Sequence, residues 1–275
     1  MLNPATRQLL RRHVTPFAGS FVALTAILLG NYAAKRLPEL SARGVPARTV
    51  VEYLLLAVPF TAAITIPMAV FITVLWVFTR LGAEGALAAA QRERDGVRRL
   101  IAPVLAAAAA VAALTLVSNA YIVPRANERL AVLASGATER SDRMMTISEL
   151  QAAARSARVE AAPDAVARAA SYEVEVQKKY ALAAACVFLA LAGAALGLRF
   201  PRGGVGLVIG ASSAIFSAYY VCLTAGESLA DRLVVSPFVA MWMANALLLA
   251  AALLVVWRSR GPRAPREAES LAIGG

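Results

Sequence analysis

Six long apolar runs constrain the fold of this chain more than any other feature of its sequence. The runs cover about 15–34, 54–79, 101–123, 180–198, 204–225 and 235–257, and none contains Asp, Glu, Lys or Arg. A helix needs roughly twenty apolar residues to cross a bilayer. Within lipid the backbone must satisfy its own hydrogen bonds, which a helix does by itself. The sequence therefore predicts an all-α integral membrane protein with six transmembrane helices.

Composition and charge agree with this prediction. The chain is 59% hydrophobic and 16% charged, so it is more apolar and less charged than an average soluble domain. Its net charge is +11, but basic inner loops are what membrane topology and anionic lipid already require. We therefore predict no nucleic-acid partner.

The positions of Lys and Arg in the short loops indicate how the helices are oriented. If both termini lie inside, the short outer loops hold only five basic residues: Lys35, Arg36, Arg43, Arg48 and Arg232. The inner segments then hold fourteen: Arg7, Arg11, Arg12, Arg80, Arg92, Arg94, Arg98, Arg99, Arg199, Arg202, Arg258, Arg260, Arg263 and Arg266. The first run could also be a secretory signal, but its length and the missing cleavage pattern favour a retained helix. The sequence therefore predicts cytoplasmic N and C termini.

Patterns that carry catalysis or bind metal are missing from the sequence. There is no G-x-x-x-x-G-K-[ST] loop, so another chain would have to bind ATP. His13 is the only histidine, and one imidazole makes neither a metal site nor a catalytic triad. Without ionisable residues in the membrane runs, an ion-coupled carrier is disfavoured. We therefore predict a non-catalytic protein with no metal and no cofactor.

The segments between the runs have helical character, and they divide the chain into three parts. Residues 1–128 contain transmembrane helices 1–3 and a short inner helix near 82–96. Residues 129–178 form a short outer loop, in which Thr146 and Glu149 fit a capping box that predicts a helix over about 147–159. Residues 179–275 contain helices 4–6 and a basic tail. No part of the outer loop shows the alternation typical of strands.

Several motifs occur in an order that is similar to a known family. On the N-terminal side they are RRLIAPVL (98–105) and LVSNAYIVPRANERL (116–130). On the C-terminal side they are MTISEL (145–150), EVQKKYALAAACVFLALAGAALGLRFPRGG (175–204), SAYYVCLTAGESLA (217–230) and SPFVAMWMAN (236–245). Their order and spacing resemble the LptF/LptG permeases, the membrane subunits of the lipopolysaccharide exporter.

The resemblance implies a permease subunit of an ABC-type exporter in the bacterial inner membrane. Two six-helix subunits, as a homodimer or with a paralogue, would enclose a cavity. A separate LptB-like cytoplasmic ATPase would drive extraction of lipopolysaccharide or a similar anionic lipid, and the resemblance leaves room for an LptC-like periplasmic protein. By position in the family pattern, the lipid-headgroup contacts fall on four cations that suit phosphate groups: Lys35, Arg36, Arg125 and Arg129.

The resemblance also places the contact with the ATPase on the inner segment between helices 2 and 3. Glu84 lies near the family's coupling glutamate, and Arg92, Glu93 and Arg94 follow in the same segment. Counted back from Pro103, however, the family's glutamate falls on Ala86. The sequence leaves both alignments open.

One departure from the family is large. Family members insert a β-jellyroll between the PRAN-like and SEL-like segments, which in this sequence are separated by the gap from Arg129 to Thr146. Eight short strands with their turns take on the order of 80 residues, which this gap cannot hold. The sequence therefore predicts a short member without the jellyroll. The alternative is a non-transporting membrane scaffold or interaction protein that retains the helical frame.

Overall fold

The computed structural model describes residues 3–42, 46–93, 95–135 and 141–259. In this part of the chain nine α-helices follow one another: α1 (Pro4–Ala42), α2 (Ala47–Ala83), α3 (Ala86–Arg92), α4 (Gly96–Val117), α5 (Val123–Ser135), α6 (Ile147–Val159), α7 (Ala165–Arg199), α8 (Gly204–Asp231) and α9 (Pro237–Ser259). A π-helical turn, Ser118–Ile122, joins α4 to α5, and a 3-10 turn, Asp142–Met144, precedes α6. The described residues contain no strand.

Six helical stretches in the described part are long and apolar enough to span a membrane: Pro4–Pro38, Ala47–Ala83, Gly96–Leu133, Ala165–Arg199, Gly204–Asp231 and Pro237–Trp257. They correspond in order to the six apolar runs of the sequence. The prediction of an all-α protein with six transmembrane helices is therefore confirmed. Since α7 has 35 residues and a helix rises about 1.5 Å per residue, α7 is longer than the roughly 30 Å hydrocarbon core.

Helices α2 and α7 form the centre of the bundle. Half of the most apolar window of α2, and 61% of that of α7, is buried within the chain. Phe71 and Phe78 of α2 and Leu189 of α7 are fully buried. On α7, Gly197 lies directly against the side chain of Phe78, so a larger residue would collide there. Small residues allow such close approach in membranes, where packing rather than water exclusion drives helix association.

Helices α1 and α8 lie at the edge of the chain. Only 6% of the most apolar window of α1 and 17% of that of α8 is buried. Val22 and Ile27 on α1, and Ile209 and Val221 on α8, leave more than half of their surface exposed. These apolar faces are suited to contact with lipid or with another transmembrane helix.

The two ends of the bundle are named here by the predicted orientation: the end that holds α6 is called the outer end, and the end that holds α3 is called the inner end. The segment between α5 and α7, at the outer end, is short and helical where it is described. The Glu149 amide donates to the Thr146 hydroxyl (3.3 Å), and the Thr146 amide donates to the Glu149 carboxylate (2.8 Å). This capping box starts α6 at Ile147, which confirms the predicted helix over 147–159. The Ser171 hydroxyl on α7 donates to Asp142 (2.9 Å) and ties the 3-10 turn to the bundle.

The inner turn between α2 and α4 contains α3, which is shorter than the inner helix predicted near 82–96. Gly85 has φ of +79°, a left-handed conformation that glycine adopts at little cost, and it lets α2 end and α3 begin within a few residues. Leu87 of α3 is buried in a cluster with Leu81 of α2 and Val104 of α4. The turn is therefore anchored to the bundle by its own apolar side chain.

Candidate functional site

At the outer end of the bundle, α1, α2 and α5 meet in one small apolar cluster. Tyr32 of α1 and Tyr53 of α2 stack on each other, and their hydroxyls share a hydrogen bond of 2.8 Å. Leu130 of α5 packs into the same cluster beside Tyr53 and Ala57. The cluster fixes the outer ends of these three helices relative to one another.

The four basic residues predicted to contact lipid lie at this end of the bundle: Lys35, Arg36, Arg125 and Arg129. The first two follow Tyr32 by about one turn of α1, and the last directly precedes Leu130 on α5. All four residues are exposed. The fold thus brings two basic pairs, which are about 90 residues apart in sequence, to the same end of the molecule. Their contact with lipid stays a prediction.

Hydroxyl pairs join α1 to α2 along much of their length. Besides the tyrosine pair, Thr25 and Thr65 share a hydrogen bond of 2.9 Å, and the hydroxyls of Ser20 and Thr73 lie 3.5 Å apart. Hydrogen bonds between helices hold a pair together within a membrane. We infer that α1 and α2 act as one hairpin, because among the described residues α1 has few contacts with any other helix.

At the inner end, three of the four predicted coupling residues, Glu84, Arg92 and Glu93, lie at or next to the ends of α3. Glu84 caps the end of α2 and accepts a hydrogen bond from Arg12 of α1 at 2.6 Å. Arg92 ends α3, and Glu93 pairs with Arg99 at 3.3 Å. Arg94, the fourth predicted residue, lies outside the described residues. The pairing of Glu84 with Arg12 joins positions 72 apart in sequence, and sequence reasoning did not find it.

Ala86, the other position that the family's glutamate could occupy, is the first residue of α3 and is exposed. Glu84 lies two residues before it, at the end of α2. Both positions therefore lie at the same corner of the inner turn, and the fold gives no reason to prefer one alignment over the other.

A second charged group lies between α7 and α8 in the outer half of the bundle. The Lys178 ammonium donates to Glu175 (2.9 Å) and to Glu227 of α8 (2.6 Å). The neighbouring Lys179 is buried, and it donates to the main-chain carbonyl of Asn119 (3.1 Å). The sequence analysis did not single out these residues. The available signal was a lysine pair directly before the fourth apolar run.

The described residues offer cations and hydrogen-bond donors at the outer end and an exposed carboxylate at the inner turn. Among them there is no group of three or more His, Cys, Asp or Glu side chains that could hold a metal ion. The arrangement is suited to binding an anionic group at one end and a protein partner at the other.

Such a helical frame defines a multi-pass integral membrane protein. The model of one protein family, described as the lipopolysaccharide export system permease LptF/LptG, matches residues 7–142 and 133–258. The match covers nearly the whole chain, and the chain belongs to this family. A search of curated proteins gives no match. The two matched ranges meet at residues 133–142, the stretch at which the sequence predicts that a jellyroll is missing.

Proposed function

We propose that this chain is the transmembrane permease subunit of an ABC-type exporter, and that it extracts lipopolysaccharide or a similar anionic lipid from the inner membrane. A separate LptB-like cytoplasmic ATPase supplies the energy. Family membership supports the general role in lipopolysaccharide export. Two features at opposite ends of the bundle carry the finer proposal. One is the basic rim, which consists of Lys35, Arg36, Arg125 and Arg129. The other is the turn that Leu87 anchors, with the exposed Glu84 beside it.

The basic rim is the proposed contact for the lipid headgroup. Cations bind phosphate oxygens through charge-assisted hydrogen bonds, which are stronger than bonds between neutral groups. Lys35 and Arg36 on α1 and Arg125 and Arg129 on α5 are exposed at the same end. In this proposal they draw the anionic headgroup to the outer end of the α1–α2 hairpin.

The inner turn is the proposed contact for the ATPase. Glu84 and Arg12 are both about half exposed, and such exposed ion pairs typically contribute only about 0.2–1 kcal/mol. A cation of the ATPase can therefore replace Arg12 at small cost. Because Leu87 anchors α3, a movement of this turn would pass directly to α2 and, through the hydroxyl pairs, to α1.

A second six-helix subunit, either another copy or a paralogue, is the proposed partner within the membrane. The open faces of α1 and α8 support this proposal. On α8, Gly206 and Gly210 are four residues apart, and a Cβ at either position would meet nothing within 4 Å. This small-xxx-small spacing is typical of helices that pack closely against another transmembrane helix.

We also propose that a separate periplasmic protein of the LptC-like kind receives the lipid, because the described outer segment contains no strand and so no jellyroll. Gln151 is exposed on α6, and a photo-cross-linker placed there in cells tests this proposal. A specific adduct with a periplasmic protein is expected, and the absence of any adduct at this and other exposed α6 positions would count against it.

Copurification tests the proposed coupling. The chain is co-expressed with an LptB-like ATPase and isolated in mild detergent, and the amount of bound ATPase is measured. We expect the wild-type chain to retain the ATPase and Glu84→Gln to retain less. Glu160→Gln, which removes the same charge at the outer end, is the matched control. Consistent failure of the wild-type chain to retain any ATPase would refute the coupling and favour the scaffold alternative.

A further inference from the structure

A cavity of about 230 Å³ lies in the outer half of the bundle, between α2, α5, α7 and α8. Since α7 runs inward, its charged residues Glu175 and Lys178 precede the apolar Leu182 along the cavity wall. Since α8 runs outward, Phe216 comes before Glu227. The cavity therefore has a charged outer end and an apolar inner end, as an amphipathic ligand requires.

Three hydrogen-bonding side chains that line this cavity are not fully satisfied by the described residues. Asn119 is only 3% exposed, and neither its amide nitrogen nor its amide oxygen has a partner. The hydroxyl of Tyr219 is also buried without a partner. Lys179 is 5% exposed and donates one hydrogen bond among the described residues, to the Asn119 carbonyl, although an ammonium has three N–H donors. Buried polar groups of native proteins normally have partners.

The charges around the cavity indicate what the missing partner is. The two carboxylates that line the cavity, Glu175 and Glu227, already accept hydrogen bonds from Lys178, and Arg143 lies 3.9 Å from Glu227. Asp142 and Asp231 lie near this group but do not line the cavity. No carboxylate among the described residues is hydrogen-bonded to Lys179. The Lys179 ammonium, the Asn119 amide nitrogen and the Tyr219 hydroxyl are all able to donate, and an oxyanion is the group that accepts several such bonds most strongly. The Asn119 amide oxygen can only accept, so it takes no part in binding the oxyanion.

We propose that this cavity binds the phosphate group of a membrane lipid, with the start of one acyl chain against Phe60, Met68 and Leu182. The site lies within a single subunit. None of the rim residues Lys35, Arg36, Arg125 and Arg129 lines it. The inference rests on the proposed function for the role of the lipid in export, but the binding itself needs neither the ATPase nor a second subunit.

Lipid binding to the purified chain in detergent tests the inference, with native mass spectrometry as the readout. Three probes are compared: phosphatidylglycerol, diacylglycerol with the same acyl chains, and inorganic phosphate alone. We expect each chain to retain one phosphatidylglycerol molecule. We expect it to retain neither diacylglycerol nor inorganic phosphate. Equal retention of diacylglycerol would overturn the phosphate contact, and equal retention of inorganic phosphate would overturn the lipid.

Point variants locate the bound lipid. Tyr219→Phe removes only a hydroxyl and leaves the ring in place, so the fold is retained. It should weaken phosphatidylglycerol binding about tenfold, the lower end of what a hydrogen bond to a charged group contributes. Tyr121→Phe makes the same chemical change at an exposed position outside the cavity and should leave binding unchanged. Equal affinity in the two variants would overturn the assignment.

Together, the lipid-binding and copurification measurements distinguish a failure of the cavity assignment from a failure of the proposed coupling to the ATPase. If phosphatidylglycerol binding depends on Tyr219 while the ATPase never copurifies, the cavity assignment stands and the coupling fails. If the ATPase copurifies while binding is insensitive to Tyr219, the coupling stands and the cavity assignment fails. Lys179→Met, which removes the central cation, should abolish binding where Tyr219→Phe only weakens it.

Discussion

Two groups of ion pairs, one at each end of the bundle, differ in their exposure to solvent. At the inner end, the side chains of Arg12 and Glu84 are 42% and 48% exposed. At the outer end, the side chains of Lys178 and Glu175 are 13% and 14% exposed. The Arg12 and Lys178 pairs are both of ordinary length, but only the Lys178 pairs are largely withdrawn from solvent. Another pair at the outer end, Arg168 with Glu160, is 43% and 50% exposed, so the contrast lies between these two groups of pairs.

The exposure of an ion pair determines how readily its partners can be exchanged. An exposed pair adds little stability and can be exchanged for a pair with another protein at small cost. A buried pair is costly to break, because the remaining charge is left without a partner. The Arg12–Glu84 pair is thus suited to an interchangeable contact, whereas the Lys178 pairs hold α7 and α8 in fixed register beside the cavity.

The largest effect on stability is expected from Lys178→Met. This change leaves Glu175 and Glu227 largely buried without the ammonium that both bind. We expect a loss of about 2 kcal/mol in the free energy of unfolding, somewhat less than for a fully buried pair. Thermal unfolding in detergent measures it, and Lys178→Arg is the control that keeps the charge. An unchanged midpoint in Lys178→Met would show that the Lys178 pairs contribute no more to stability than the exposed Arg12–Glu84 pair.

An intermediate effect is expected from Thr146→Ala at the start of α6. The change removes the hydroxyl that accepts from the Glu149 amide, and loss of such a cap costs about 1 kcal/mol. Ser156→Ala, which removes a hydroxyl from an exposed position further along the same helix, is the matched control. Hydrogen exchange of the α6 amides measures local opening. Equal exchange in both variants would show that the capping box does not stabilise the outer segment.

The smallest effect on stability is expected from Arg12→Gln at the inner end. Breaking an exposed pair should change the free energy of unfolding by at most about 1 kcal/mol. The amount of bound ATPase should stay the same or rise, since Glu84 no longer has an internal partner. Thermal unfolding and copurification are measured on the same preparation. A large fall in the unfolding midpoint would mean that the Arg12–Glu84 pair stabilises the fold as strongly as the Lys178 pairs, which would contradict the proposed difference between them.

The sequence predicted those features that depend on local patterns. Six charge-free runs were sufficient to predict six membrane helices, because a spanning segment must be apolar along its whole length. The pattern Thr146 to Glu149 predicted the start of α6, because both partners of a capping box lie within one turn. The ordered motifs led to the LptF/LptG family, which the family match confirms.

The sequence could not predict which charged residues are buried. Lys35–Arg36 and Lys178–Lys179 are both basic pairs beside an apolar run, yet the first pair is exposed and Lys179 is buried. What distinguishes them is tertiary structure: Glu227, 49 residues away, meets Lys178, and the Asn119 carbonyl, 60 residues away, meets Lys179. No local pattern contains these pairings.

Lipid extraction from proteoliposomes directly tests the proposal that this chain is the permease subunit of an ATP-driven lipid exporter. The chain is reconstituted with an LptB-like ATPase in vesicles that contain labelled lipopolysaccharide, and the transfer of the label to a soluble acceptor is measured with and without ATP. We predict ATP-dependent transfer that falls at least about tenfold in the double variant Lys35→Gln, Arg129→Gln, as the loss of bonds to a charged group implies. Arg168→Gln, an exposed outer residue paired with Glu160, should transfer normally. An ATPase that binds but produces no ATP-dependent transfer would contradict the account and support a scaffold.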